Sequence, residues 1–467
     1  MDPSALESHQ SFPVFAVHDG QKKQWLDRFL SLFADVRARE GSGALLLAAN
    51  GFLLLTAYYI LKPLREALIL FQAGPEVKMY MSAGQALVLL FLVPAYGAFA
   101  SRHVRIKLIS WVTLFFASHL VVFAALGSWG IQVGKAYYLW VGILNYLLIG
   151  QFWAFGNDLY DERKGKRLFP LVGVGTALGG VAGAHLELAL LKPLGPYGLM
   201  LVAGAILVAT VLLGLAVNRH ESSRAGSVQQ RIAGERISGS GGFRLVRGDR
   251  YLLLIAALAV MLNLVNNNGE YLMAKLAEIQ SAASADRLQF FGEFSGRFYS
   301  LQNTLVLVLQ AFVVSRIFRY LGVRAALFFL PLIALGGYAT ALVLPVLNIV
   351  RVVKGLENST DYSIQNTARQ ALFLPTSREA KYKAKMAIDT FFTRSGDVLS
   401  AVVVFIGFHL AMAVKFYAAL NIVFVGVWLT LVVAIARRHR VLTGEPVPLP
   451  SPLSAPDRPS RQSSSAA

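Results

Sequence analysis

Charged side chains stand at the end of an apolar run in Tyr58-Tyr59-Ile60-Leu61-Lys62-Pro63-Leu64-Arg65-Glu66. Spacings of three and four residues put Tyr58, Lys62 and Arg65/Glu66 on one face of a helix. An Arg or Lys held at bilayer depth costs about 2.5–3.5 kcal/mol on insertion scales, so it usually faces a partner or a watery cavity. Two readings follow. Either Lys62 and Arg65 snorkel to the interface with Glu66 as ion-pair partner, or this face lines a site for an anion.

Further polar groups sit inside apolar stretches. Asn263, Asn266, Asn267, Asn268 and Glu270 interrupt the run at 251–275, with Asn263, Asn267 and Glu270 on one face. Such amides either bond between helices or line a polar path. Between 346 and 371, Asn348, Arg351, Lys354, Asn358, Asp361 and Gln365 recur every three or four residues, and that stripe cannot face lipid. Lys354 can pair locally with Glu357 or Asn358. The run at 386–411 holds Asp389, Arg394 and Asp397, the last two spaced to pair. Glu66, Glu270 and Asp361 are the acids in these stretches that could take up and release a proton. His185 and Glu187 lie in the run at 169–191, where His185 reads as a packing or hydrogen-bonding residue before a proton relay.

Several chemistries are missing. Gly173-x-Gly175-x-x-x-Gly179-Gly180-x-x-Gly183 lacks the Gly-Lys-Ser/Thr ending of a phosphate loop, and small residues four apart within a span instead permit close helix packing. There is no cysteine, no Cys/His metal spacing and no Gly-x-Ser-x-Gly elbow. The chain has no room for the soluble nucleotide-binding domain of an ATP-driven pump. No catalytic residue, metal or cofactor is expected, and the protein reads as something other than an enzyme.

The elements that position these groups follow from composition. Of 467 residues, 55% are hydrophobic, and the mean hydropathy is +0.54. Repeated apolar runs of near-spanning length predict an all-α polytopic membrane protein. About twelve spans are expected, near 43–70, 79–100, 107–127, 136–157, 169–191, 197–217, 251–275, 297–315, 323–344, 346–371, 386–411 and 415–436. A net charge of +18 would suggest nucleic acid for a soluble chain. Here the basic excess lies in loops after even-numbered spans, so the bilayer is the partner and no nucleic acid is expected. Lys78, Lys135 and Arg287 read as the sparse cations of the opposite loops. By the positive-inside rule both termini are cytoplasmic.

Residues 1–41 form an N-terminal segment without an apolar signal core, and its Trp25, Phe29, Leu32 and Phe33 predict an interfacial helix over 21–40. A six-helix half over 42–217, a cytoplasmic linker at 218–250, a second half over 251–440 and a disordered Pro/Ser-rich tail at 441–467 follow. Ser101-Arg102-x-x-Arg105 recurs as Ser315-Arg316-x-x-Arg319, and Lys164-x-Lys166 as Lys383-x-Lys385. Each recurrence is offset by six spans, which points to two six-helix pseudo-repeats.

Leu139-Trp140, Phe152-Trp153-Ala154-Phe155-Gly156-Asn157-Asp158 and Gly165-Lys166-Arg167-Leu168-Phe169-Pro170-Leu171-Val172-Gly173-Val174-Gly175 resemble the ATP/ADP translocase family. These are the nucleotide transporters of plastids and intracellular bacteria. Lys383-Ala384-Lys385-x-Ala387-Ile388-Asp389 with Arg394-Ser395-Gly396 is similar to that family's eleventh-helix signature, and the likeness runs from about Gly43 to Arg440. The resemblance implies a major-facilitator-like fold, ATP-for-ADP exchange or carriage of a related nucleotide, a bacterial inner membrane and a monomer. By motif position the family's binding lysines fall on Arg65 and Arg394, which keep the charge. Its two acids fall on Tyr138 and Asn266. Arginine suits phosphate because its planar fork binds two oxygens. The expected substrate set is therefore Lys62, Arg65, Tyr138, Asn266, Lys354 and Arg394, around a small anionic substrate of nucleotide type. A proton-coupled carrier of another organic anion, or a scaffold or sensor without flux, are the competing readings.

Overall fold

The computed structural model describes residues 40–100, 103–160, 162–222, 242–377 and 379–443. The interfacial helix expected before Glu40, the middle of the linker (223–241) and the tail from 444 lie outside the described residues. The described chain is helical apart from short turns. In order it forms α1 Gly41–Gln72, α2 Gly74–Ala100, α3 Arg105–Ser128, α4 Gly134–Leu159, α5 Glu162–Ser222 and the short α6 Gly242–Gly248. Then come α7 Arg250–Ser281, α8 Arg287–Tyr320, α9 Gly322–Val343, α10 Leu347–Thr360, α11 Asn366–Leu372, α12 Lys385–His409 and α13 Val414–Thr443.

Among the described residues, ten helices are long and apolar enough to cross a membrane. The count of twelve differs from this for two reasons. The runs at 169–191 and 197–217 are two helices that meet at a kink within α5, the chain turning at Gly195 between Pro193 and Pro196, so they count once among the ten. Gly195 has φ 65° there, a left-handed value that glycine adopts without a Cβ clash. The run at 346–371 is helical but too polar to count. It passes from α10 through a π-helical turn at Asp361–Gln365 into α11. Two more π turns, Leu309–Val313 and Ile388–Phe392, lie inside α8 and α12, and a fourth, Ala380–Ala384, precedes α12. The linker expected over 218–250 is helical at both ends, to Ser222 and from Gly242.

Local chemistry sets several helix starts. The Asp249 carboxylate accepts from the Tyr251 amide at 2.7 Å, and Asp286 from the Gln289 amide at 2.9 Å, so each caps the helix that follows. Packing separates two apolar cores. One gathers α1, α3, α4 and α5 around Leu47, Leu61, Tyr137 and Leu207. The other gathers α7 through α13 around Tyr251, Phe291, Leu330 and Trp428, and is joined by Ile69 of α1 and Met79 of α2. The outer face is apolar, with Phe91, Trp111, Leu212 and Val423 more than half exposed, as a lipid-facing surface requires. In the glycine run, Gly179 and Gly183 press against the α1 backbone at Phe52 and Thr56, where a methyl group would collide with carbonyl oxygens. This close approach lays α5 along α1 and brings α1 to the centre of the bundle.

Candidate functional site

Pro63 sits within α1, yet the helix runs on, as proline is tolerated where neighbouring helices re-satisfy the backbone. Beside it α1 carries the cationic face that the spacing implied. Lys62 is ringed by tyrosines. Its Nζ lies 4.5 Å from the Tyr299 ring centroid, 5.5 Å from Tyr59, 5.8 Å from Tyr362 and 6.0 Å from Tyr58. No carboxylate lies within ion-pair distance of Lys62 among the described residues. Aromatic faces attract the ammonium through their quadrupoles and leave its charge uncancelled.

Arg65 lies over the Tyr138 ring at 4.4 Å and donates to Glu66 Oε1 through Nη2 at 2.6 Å and Nε at 3.2 Å. The other Glu66 oxygen meets Lys78 Nζ at 2.7 Å, and Lys78 reaches Glu270 of α7 at 3.4 Å. Lys78 is not the loop cation the sequence suggested. Helix α2 begins at Gly74, and Lys78 is buried in its second turn. Glu66 and Glu270 are thus ion-pair partners.

Arg394 stands over the Tyr146 ring at 4.8 Å and donates to Asp397 at 2.9 Å, while Asn267 donates to the same carboxylate at 2.7 Å. The Arg394 Nε is buried with no hydrogen-bond partner. Beside it, between α2 and α12, runs a mainly apolar cleft of about 230 Å³ bordered by Leu90, Val93, Tyr146 and Met386. Lys354, almost fully buried, donates to Asn266 at 2.5 Å and Glu357 at 2.9 Å, and the Tyr338 hydroxyl donates to Glu357 at 2.9 Å. Asp361 opens the π turn, and its Oδ1 is buried without a partner.

Lys62, Arg65 and Tyr138 share one locale on α1 and α4, and Arg394 stands over Tyr146 further along α4. Lys354 and Asn266 form a second polar knot between α7 and α10. Sequence reasoning missed Lys78 as a site residue, and with it Tyr59, Tyr146, Tyr299 and Tyr362. Tyr59 alone had a signal, its place beside Tyr58 in the cationic segment. The arrangement can hold an anion against Lys62, Arg65 and Arg394 with aromatic walls on either side. An ion pair and a hydrogen bond tie α2 to α7 at the end of the bundle that carries Gly74 and Ser281. Glu76 of α2 accepts from Lys275 at 2.7 Å and from the Tyr271 hydroxyl at 2.9 Å, both on α7.

Comparison with known proteins gives a family match and a fold match. Residues 126–439 match the family described as TLC ATP/ADP transporter. ADP,ATP carrier protein 1 of Chlamydia pneumoniae is 22% identical over 300 residues, covering 55% of this chain and 56% of that protein. The match therefore spans little more than half the length of that relative. Among solved structures, a mutant form of the nucleoside transporter NupG superposes with a TM-score of 0.60 at 12% identity, over 86% of this chain and 99% of that one. An inward-facing bacterial homologue of the iron transporter ferroportin gives 0.59 at 14% identity, over 85% and 98%. At these identities the likeness carries the fold, which is that of major-facilitator-type transporters.

Proposed function

The chain belongs to the TLC ATP/ADP transporter family, and from that premise we propose that it is a secondary transporter moving nucleotides by alternating access, as ATP:ADP exchange or with a related nucleotide. Its two halves, 42–217 and 251–440, rock about the central cations. The basic loops favour cytoplasmic termini in a bacterial inner membrane, and we take the working unit to be a monomer. One observation carries the reading: Lys62 keeps an uncancelled charge inside four tyrosines, one helical turn from Arg65. Phosphate oxygens complement the cations, and a purine ring complements the tyrosine faces.

A second reading rests on Tyr138 and Asn266, which stand where the family pattern has acids. A site that has lost both acids and kept both cations also suits another organic anion, with Glu66, Glu270 or Asp361 as coupling groups. Uptake of labelled ATP into proteoliposomes, challenged with ADP, inorganic phosphate and sugar phosphates, separates the two. Competition by ADP with no release of phosphate from ATP is the expected result. Competition by a sugar phosphate but not by ADP would move the assignment to the second reading.

A further inference from the structure

Glu187 of α5 has no role in the cationic site, and its surroundings are unlike those of the other acids. It is 0% exposed, and neither carboxyl oxygen has a hydrogen-bond partner. It lies on the contact between the two cores. There Gly296 of α8 has no side chain, and a methyl group at that position would collide with Glu187 Oε2. One turn away, Leu191 fills the matching notch at Gly292. An ionised carboxylate without a donor is far costlier to bury than a neutral carboxyl.

Among the described residues no cation pairs with Glu187 to offset that cost. Helix α1 brings Lys62, which is turned onto Tyr299. Helix α3 brings His119, bonded to the Phe115 carbonyl at 2.8 Å. On α5 itself Lys192 is exposed, and His185 meets the Ser300 hydroxyl at 2.9 Å. Helix α8 brings Arg297 and Glu293, paired with each other at 2.9 Å. Of all these groups only Glu293 acts on Glu187, and it carries the same charge.

We propose that Glu187 is a proton-binding site built into the α5–α8 contact, holding a proton while the helices are packed and giving it to water when they part. The O–H bond breaks, the electron pair stays on the carboxylate, and solvent takes the proton. The packed form then binds one proton more than the separated form. Acid favours packing, and rising pH favours separation by up to about tenfold per pH unit. This site goes beyond the assignment of the cargo and does not depend on which anion is carried.

The chain has no native cysteine, so spin labels can be placed at Lys192→Cys and Ala285→Cys, on either side of the contact, and their separation followed without substrate. Between about pH 5 and about pH 9, a short-distance population is expected to give way to a longer one. In Glu187→Gln, which mimics the neutral acid, the short population should persist throughout. In Glu293→Gln, which removes the like charge from a half-exposed position, the midpoint should move to lower pH. A transition unchanged by Glu187→Gln, no pH response in the labelled parent, or an unmoved midpoint in Glu293→Gln would each overturn the proposal. Because no nucleotide is present, a protein that fails to carry ATP still tests this site.

Discussion

Two arginines stand over tyrosines of the same helix and are held in different ways. Tyr138 and Tyr146 lie two turns apart on α4, roughly 12 Å at 1.5 Å per residue. Over the first, Arg65 shares Glu66 with Lys78, and Lys78 reaches on to Glu270, so positive and negative groups alternate from α1 through α2 to α7. Over the second, Arg394 has Asp397 on its own helix and keeps a buried, unused Nε beside the cleft. Both guanidinium groups are neutralised. On the proposed function, an arriving anion would find a spare donor at Arg394, whereas at Arg65 it would compete with Glu66 and so disturb the ion pairs joining α2 to α7. On that same function, this difference would make Arg394 the station that captures and Arg65 the one that transmits.

The strongest test removes both. Arg65→Ala with Arg394→Ala should cost at least about 4 kcal/mol of anion binding, roughly a thousandfold, measured by calorimetry in detergent. Near-normal affinity in that double variant would end the two-station account. Next in size, Lys78→Met leaves Glu66 and Glu270 facing each other without their shared cation. A stability loss of about 3–4 kcal/mol is expected, since breaking a buried pair strands its partner. It should appear as a lower unfolding temperature in detergent, and a loss below about 1 kcal/mol would mean that the network is not holding α2 to α7. The smallest effect sharpens the contrast. Tyr138→Glu gives Arg65 a second carboxylate and should weaken anion binding by about 1.5–3 kcal/mol. Equal weakening from Tyr146→Glu would erase the distinction between the stations.

The spans were legible because apolar length is a one-dimensional signal. The cationic face of α1 and the Lys354–Glu357 and Arg394–Asp397 pairs were legible because helical spacing is local. Lys78 was not, since its partners Glu66 and Glu270 lie on two other helices and nothing near it in the chain announces them. The tyrosines around Lys62 come from α1, α8 and the turn after α10, so only the fold assembles them. The two runs in α5 were legible as separate spans because Pro193, Gly195 and Pro196 break the apolar stretch where the chain turns. The helix at 346–371 was legible from its three- and four-residue spacing, although its polarity keeps it off a count made on apolarity alone. Tyr138 entered through a family resemblance, and no local pattern would have singled it out, whereas Asn266 already stood in the amide cluster of its span.

The π turns carry a consequence for how this chain tolerates changes in length. Each holds about one residue more than a regular α turn, and one residue turns a helix by about 100°. Deleting a single residue from Asp361–Gln365 would return that turn to regular winding and leave Arg369 and everything beyond it on the same face, with the helix intact. A deletion in the regular winding of α1 has no such slack, and there Lys62 and Arg65 would part company with everything that follows them. Among the described residues all four π turns lie after Arg250. Gains and losses of single residues within helices can therefore be absorbed in the later part of the chain, while the earlier part is held to a fixed register.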